Sequence, residues 1–172
     1  MKAATVHEIK EELRAAKPAA LAELCLRLAK FKKENKELLT YLLFEAHDEP
    51  GYVQGVKAEI DELFTEVNLS QLYFAKKTLR KIGRVINKYC RYSAIKTTEV
   101  ELRLHFCTKL KTSGIPIRQN AVISNLYDGQ LKKIDTLLNA LHEDLQYDYR
   151  RELNGLEEEL PVKKKKSFLF RR

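Results

Sequence analysis

The amino-acid sequence predicts an all-α fold of about seven helices, set mostly in consecutive antiparallel pairs as an irregular bundle or a short helical-repeat stack. Among its 172 residues only 6 are Gly and 4 are Pro, so few positions interrupt a helix. Leu, Ala, Lys and Glu dominate, and all four are good helix formers. Apolar side chains recur at intervals of three and four along most of the chain, the period of one helix face. At 44% hydrophobic residues, the chain has the apolar surface a core requires. One helical domain is expected over residues 1–161, followed by a basic–aromatic tail at 162–172.

Thr5 and Glu8 have capping-box spacing, which starts a first helix over about Val6 to Ala16. Pro18 suits the first turn of a second helix, whose Leu21, Leu24, Cys25, Leu28 and Phe31 fall at helical spacing. Leu38, Leu39, Tyr41, Leu42, Leu43 and Phe44 form a third segment that is apolar nearly all round, and it is expected to pack on more than one side. Glu49-Pro50-Gly51 reads as a turn. Val53, Val56, Ile60, Leu63 and Val67 define a fourth helix, with Glu59, Asp61, Glu62 and Glu66 on its outer surface. Ser70 is the expected cap of a fifth helix running from Gln71 to about Tyr89, with a loop from Tyr92 to Lys96.

The next segment fits two templates. Val100, Leu102, Leu104 and Phe106 alternate with Glu101, Arg103 and His105 as a strand would. Val100, Leu104, Cys107 and Leu110 also fit a helix, for which Thr98 and Glu101 would be a capping box. The helix is preferred, because a strand without a partner leaves its backbone groups unsatisfied. Ser113 to Pro116 is a loop. A long helical pattern then runs through Ile123, Leu126, Leu131, Ile134, Leu138, Leu141 and Leu145, extending toward Leu153 and Leu156. Pro161 ends the folded part.

Charge is the most distinctive signal. Between Glu66 and Glu99 there is no Asp or Glu, and residues 67–98 hold 8 basic side chains. Residues 1–66 are net −3 and residues 129–161 net −4, so the overall +8 comes from this block and the tail. At about 100° per residue, Leu72, Ala75, Leu79, Ile82, Ile86 and Tyr89 share one side of the fifth helix. Lys76, Lys77, Arg80, Lys81, Arg84, Lys88 and Arg91 share the other, with Tyr73 and Asn87 among them. Like charges four residues apart repel by a few tenths of a kcal/mol, as at Lys76–Arg80, Lys77–Lys81, Arg80–Arg84 and Arg84–Lys88. Either the acids of the fourth helix offset this, or the face meets an anionic partner. Cations mixed with an aromatic and an amide suit a nucleic-acid backbone first, and an acidic protein or lipid surface next.

The tail repeats the theme. Lys163, Lys164, Lys165 and Lys166 precede Phe168 and Phe170, a basic–aromatic peptide suited to an anionic surface or to docking in a groove. Cys25, Cys90 and Cys107 have no paired spacing, which points to free thiols in a reducing compartment. The first 17 residues lack the apolar segment of a signal peptide, and no run is long enough to span a membrane, so a cytoplasmic protein is expected. His7 with Glu11, and Glu101 with His105, lie four residues apart, but two ligands do not make a metal site. No phosphate loop, nucleophile motif or cofactor motif is found.

The succession of paired helices over residues 5–111 resembles α-helical hairpin repeats of the HEAT type, an α-solenoid class. The resemblance rests on helix length and apolar pattern, without a visible repeat period. It implies a curved stack used for binding rather than catalysis. The sequence therefore points to a non-catalytic binding or scaffold protein whose cationic helix contacts nucleic-acid backbone. An adaptor for an acidic protein is the alternative, and an enzyme assembled from scattered residues the third class.

Overall fold

The computed structural model describes residues 2–158, all of whose regular elements are helical. The described chain forms two compact units, divided between His47 and Asp48.

The first unit holds α1 (Val6–Ala15), α2 (Pro18–Phe31) and α3 (Lys33–Thr40), then a π-helical turn over Tyr41–Glu45. Thr5 and Glu8 cap α1 reciprocally: Glu8 N–H donates to Thr5 Oγ1, and Thr5 N–H donates to Glu8 Oε2 at 2.7 Å. Pro18 occupies the first turn of α2, where its missing N–H costs nothing. Helices α2 and α3 pack as a hairpin, and Asn35 Nδ2 donates to Leu28 O across it. Tyr41 is buried, but Leu42, Leu43 and Phe44 are each more than half exposed. The expected packing on several sides is thus absent there. A unit this short has too little chain to enclose an apolar segment.

The second unit holds α4 (Glu49–Thr65), α5 (Leu72–Ser93), α6 (Lys96–Thr112), α7 (Ala121–Leu138) and α8 (Glu143–Glu158). Glu49-Pro50-Gly51 is not a turn but the first turn of α4. Asp48 Oδ1 accepts from Gly51 N–H at 3.1 Å, and Pro50 sits where no helical donor is needed. Gly51 is required for this, since a Cβ there would lie 2.2 Å from Asp48 Oδ2. Asp48→Ala is expected to lower stability by about 1 kcal/mol. Urea unfolding checks it, and an unchanged midpoint would mean the cap contributes nothing.

Two further caps differ from expectation. Asn68, not Ser70, prepares the start of α5: its Oδ1 accepts from the N–H groups of Ser70 and Gln71, both at 3.0 Å. An Asn side chain reaches its own backbone two and three residues on. The loop expected from Tyr92 to Lys96 shrinks to Ala94 and Ile95, because Ala94 turns left-handed (φ 57°) and closes α5 onto Cys90 O. Helix α6 then starts at Lys96, so Thr98 is not its cap. Thr98 is buried and donates to Glu49, as Ser93 does.

Residues 96–112 are helical, and their strand-like alternation has a physical cause. Helix α6 touches α4, α5, α7 and α8. Val100, Leu102, Leu104, Phe106, Cys107 and Leu110 are all buried, as is Arg103. A helix packed on several sides buries residues beyond a single apolar stripe. The long pattern after Ile123 is broken at Asn139–His142 into α7 and α8. The reversal lets Leu153 and Leu156 become buried, and Tyr127 Oη donates to Leu156 O at 3.1 Å. A continuous helix would have carried those residues tens of ångströms away.

Side-chain pairs fix the directions. Tyr52 meets Tyr89, and Glu66 meets Lys81, so α4 and α5 are antiparallel. Lys57 meets Glu101, and Phe64 meets Phe106, so α4 and α6 are parallel. Lys96 donates to Ala140 O, and Arg103 to Gln130, so α6 and α7 are antiparallel. Tyr149 donates to Glu101, and Lys111 to Gly155 O, which sets α8 parallel to α6. One layer is therefore α4, α6 and α8, and the other is α5 and α7. The first layer's helices begin at Glu49, Lys96 and Glu143, equal intervals of 47 residues.

Asp61 ties α4 to α6, with His105 Nε2 at 2.6 Å and Lys109 Nζ at 2.8 Å. Burial opposes its ionisation, but the Lys109 and His105 hydrogen bonds outweigh that and hold its carboxyl below the ordinary aspartate value. A lowered carboxyl contributes stability above the ordinary value and loses it as pH falls through and below it. Asp61→Asn is therefore expected to be less stable than wild type at about pH 6, with the gap closing toward about pH 3. Denaturant melts at the two pH values read this, and a gap that widens in acid would refute it.

Candidate anion-binding groove

Helix α5 divides its faces much as its sequence pattern requires. Ala75, Leu79, Ile82, Ile86 and Cys90 are buried, while Lys77, Arg80, Lys81, Arg84 and Arg91 are exposed. Burial pushes the Cys90 and Cys107 thiols up to about 12, so both are inert core residues, whereas Cys25 is exposed.

Between α5 and α7 runs a groove of about 520 Å³, lined by Tyr73, Lys76, Lys77, Arg80, Gly83, Arg84, Asn87, Leu126 and Gln130. Six of the residues singled out from sequence meet here: Tyr73, Lys76, Lys77, Arg80, Arg84 and Asn87. The other three do not line it. Lys81 pairs with Glu66 at 3.0 Å, Lys88 lies over the Tyr89 ring at 4.6 Å, and Arg91 stands exposed beyond the groove.

The acids of α4 form no ion pair with the four groove cations among the described residues. Asp61 serves α6, Glu59 accepts from Tyr89 Oη, and Glu66 pairs with Lys81 outside the groove. Lys76, Lys77, Arg80 and Arg84 make no ion pair among the described residues. A larger cavity of about 630 Å³ lies by α7 and α8, but it mixes Arg118 and Lys132 with Asp128, Asp135 and Glu157. Arg118 and Asp128 there are 2.6 Å apart, so that cavity neutralises itself.

Behind the lining of the first groove lies Arg103 of α6, only 3% exposed. Its Nη1 donates to Gln130 Oε1 at 2.5 Å, its Nη2 donates to Asn87 Oδ1 at 2.9 Å, and Glu99 accepts from Nε and Nη2. Arg103, Gln130, Gly83 and Leu126 were missed in the sequence. A signal was present for one of them: a Glu–Arg pair four residues apart, Glu99 and Arg103, inside an otherwise apolar run.

Of the remaining candidates, His105 is committed to Asp61, and His142 stands exposed near Asp144. No three His, Cys, Asp or Glu side chains gather as a metal site among the described residues. Tyr147 is exposed, while Tyr149 donates to Glu101, and burial beside that carboxylate pushes its hydroxyl up to about 12. The tail residues Lys163, Lys164, Lys165, Lys166, Phe168 and Phe170 lie outside the described residues.

Fold and site together define an all-α protein with a two-layer helical unit and an acid-free cationic groove between two helices of one layer. No described helix is long and apolar enough to cross a membrane. No family model, curated protein or solved structure matches the chain.

Proposed function

We propose that this is a non-catalytic binding or scaffold protein whose α5–α7 groove takes a polyanion, with nucleic-acid backbone as the ligand. One observation carries the reading: four cations line the groove and none has a carboxylate partner among the described residues. Grouped unpaired cations repel one another and are relieved by an anionic ligand. Tyr73, 71% exposed at the same groove, offers a ring face for a base, which is stacking without sequence preference. The equal 47-residue spacing of α4, α6 and α8 falls at the upper end of HEAT-type periods and supports the helical-hairpin resemblance.

Anisotropy titration of labelled single- and double-stranded oligonucleotides across a salt series tests this. With four cations on phosphates, the logarithm of the binding constant should fall with log salt with a slope of about −3. No binding at low salt, or binding indifferent to salt, would remove nucleic acid as the ligand.

A further inference from the structure

Resting on that reading, we infer that the groove contains one discrete seat for a phosphate group, made by the side-chain NH2 groups of Asn87 and Gln130 beside Arg84 and positioned by Arg103. A guanidinium has five N–H donors and no acceptor. Because Arg103 binds both amides, each must present its oxygen inward, as Asn87 Oδ1 and Gln130 Oε1 do. Each NH2 group is thereby turned away from Arg103, on residues that both line the groove. Glu99 grips the guanidinium from the other side and balances its charge, so the orientation is fixed.

Among the described residues neither NH2 group has a protein partner, and no buried side-chain N or O is left unsatisfied. Gln130 is 9% exposed overall, so its Nε2 meets solvent in the groove. What this corner offers is four N–H donors with cations beside them and no carboxylate. A group that only accepts hydrogen bonds and carries negative charge fits it, and phosphate oxygens are that group. Sugar hydroxyls and bases can also accept, but they carry no negative charge for the cations alongside. A cationic wall alone attracts a polyanion without fixing its register, whereas neutral donors held by a buried guanidinium specify a position.

Asn87→Asp and Gln130→Glu test the seat. Each keeps an oxygen for Arg103 to bind and turns that bond into an ion pair, so the fold is retained. Each also removes the NH2 donors and puts a negative charge in the seat. Single-stranded oligonucleotide affinity should fall about tenfold or more in each. Asn154→Asp is the control, an equal change of net charge at an exposed α8 position off the groove. The seat is overturned if both variants lose no more than Asn154→Asp while Arg80→Glu/Arg84→Glu still abolishes binding, and that result leaves the polyanion reading standing.

If wild type binds no oligonucleotide at low salt, the polyanion reading fails and inorganic phosphate decides the seat alone. Saturable phosphate-induced shifts of the Asn87 and Gln130 side-chain NH2 resonances, with the surviving NH2 no longer shifting in each variant, support it; unmoved wild-type resonances overturn it. Arg103→Lys separates positioning from folding. If Arg103 acts by orienting the amides, the phosphate shifts vanish in this variant while its circular dichroism stays native. Shifts that persist would show that Arg103 does not build the seat.

Discussion

Reversing Arg80 and Arg84 to glutamate is expected to weaken polyanion binding at least about a hundredfold at moderate salt, with the fold intact. Both side chains are exposed, line the groove and have no partner among the described residues, so nothing in the core depends on them. Each reversal removes a phosphate contact and adds a repulsive one, which compounds the loss. The like-charge pairs Lys76–Arg80 and Arg84–Lys88 become attractive, so melting temperature should hold or rise slightly. Anisotropy and thermal melts read the two effects separately. A folded double variant that binds like wild type would move the site away from the groove.

Arg103→Met should destabilise the protein by about 3 kcal/mol. Removing one member of a buried ion pair strands the other, and here Asn87 Oδ1 and Gln130 Oε1 lose their donor as well. Glu99 is 29% exposed at its side chain, so water partly rescues it, which places the loss at the low end of the range for such pairs. Adding Glu99→Leu should recover part of the loss, because a matched apolar pair carries no stranded charge. Urea unfolding of the single and double variants gives both numbers. A loss under about 1 kcal/mol would mean that Arg103 does not hold α5, α6 and α7 together, and no recovery in the double variant would mean that a stranded Glu99 is not part of the loss.

The groove's cationic wall was legible because Tyr73 through Asn87 lie on one helix. Their shared face follows from spacing alone. The same holds for the Thr5–Glu8 box and for the apolar stripe of α4, both made within a few residues of sequence. Lys81, Lys88 and Arg91 share that face yet leave the groove, since Glu66 and Tyr89, on packed helices or one step along α5, draw the first two aside. Turn and helix-start chemistry overlap in Asp, Pro and Gly, which is why residues 49–51 read as a turn in sequence although they open α4.

What the sequence determined by itself is the all-α class, the two faces of α5 and the acid-free block, because each is set by local spacing and charge. Only the tertiary structure decided the rest. It broke one long apolar pattern into α7 and α8, because burying Leu153 and Leu156 requires the chain to turn back. It packed α6 against four other helices, where Leu102 and Phe106 are buried beside the stripe of Val100, Leu104, Cys107 and Leu110 and give the segment its strand-like alternation. It also brought Asn87, Arg103 and Gln130 together from three helices, a meeting that depends on packing between helices and leaves no mark in the spacing of any one of them.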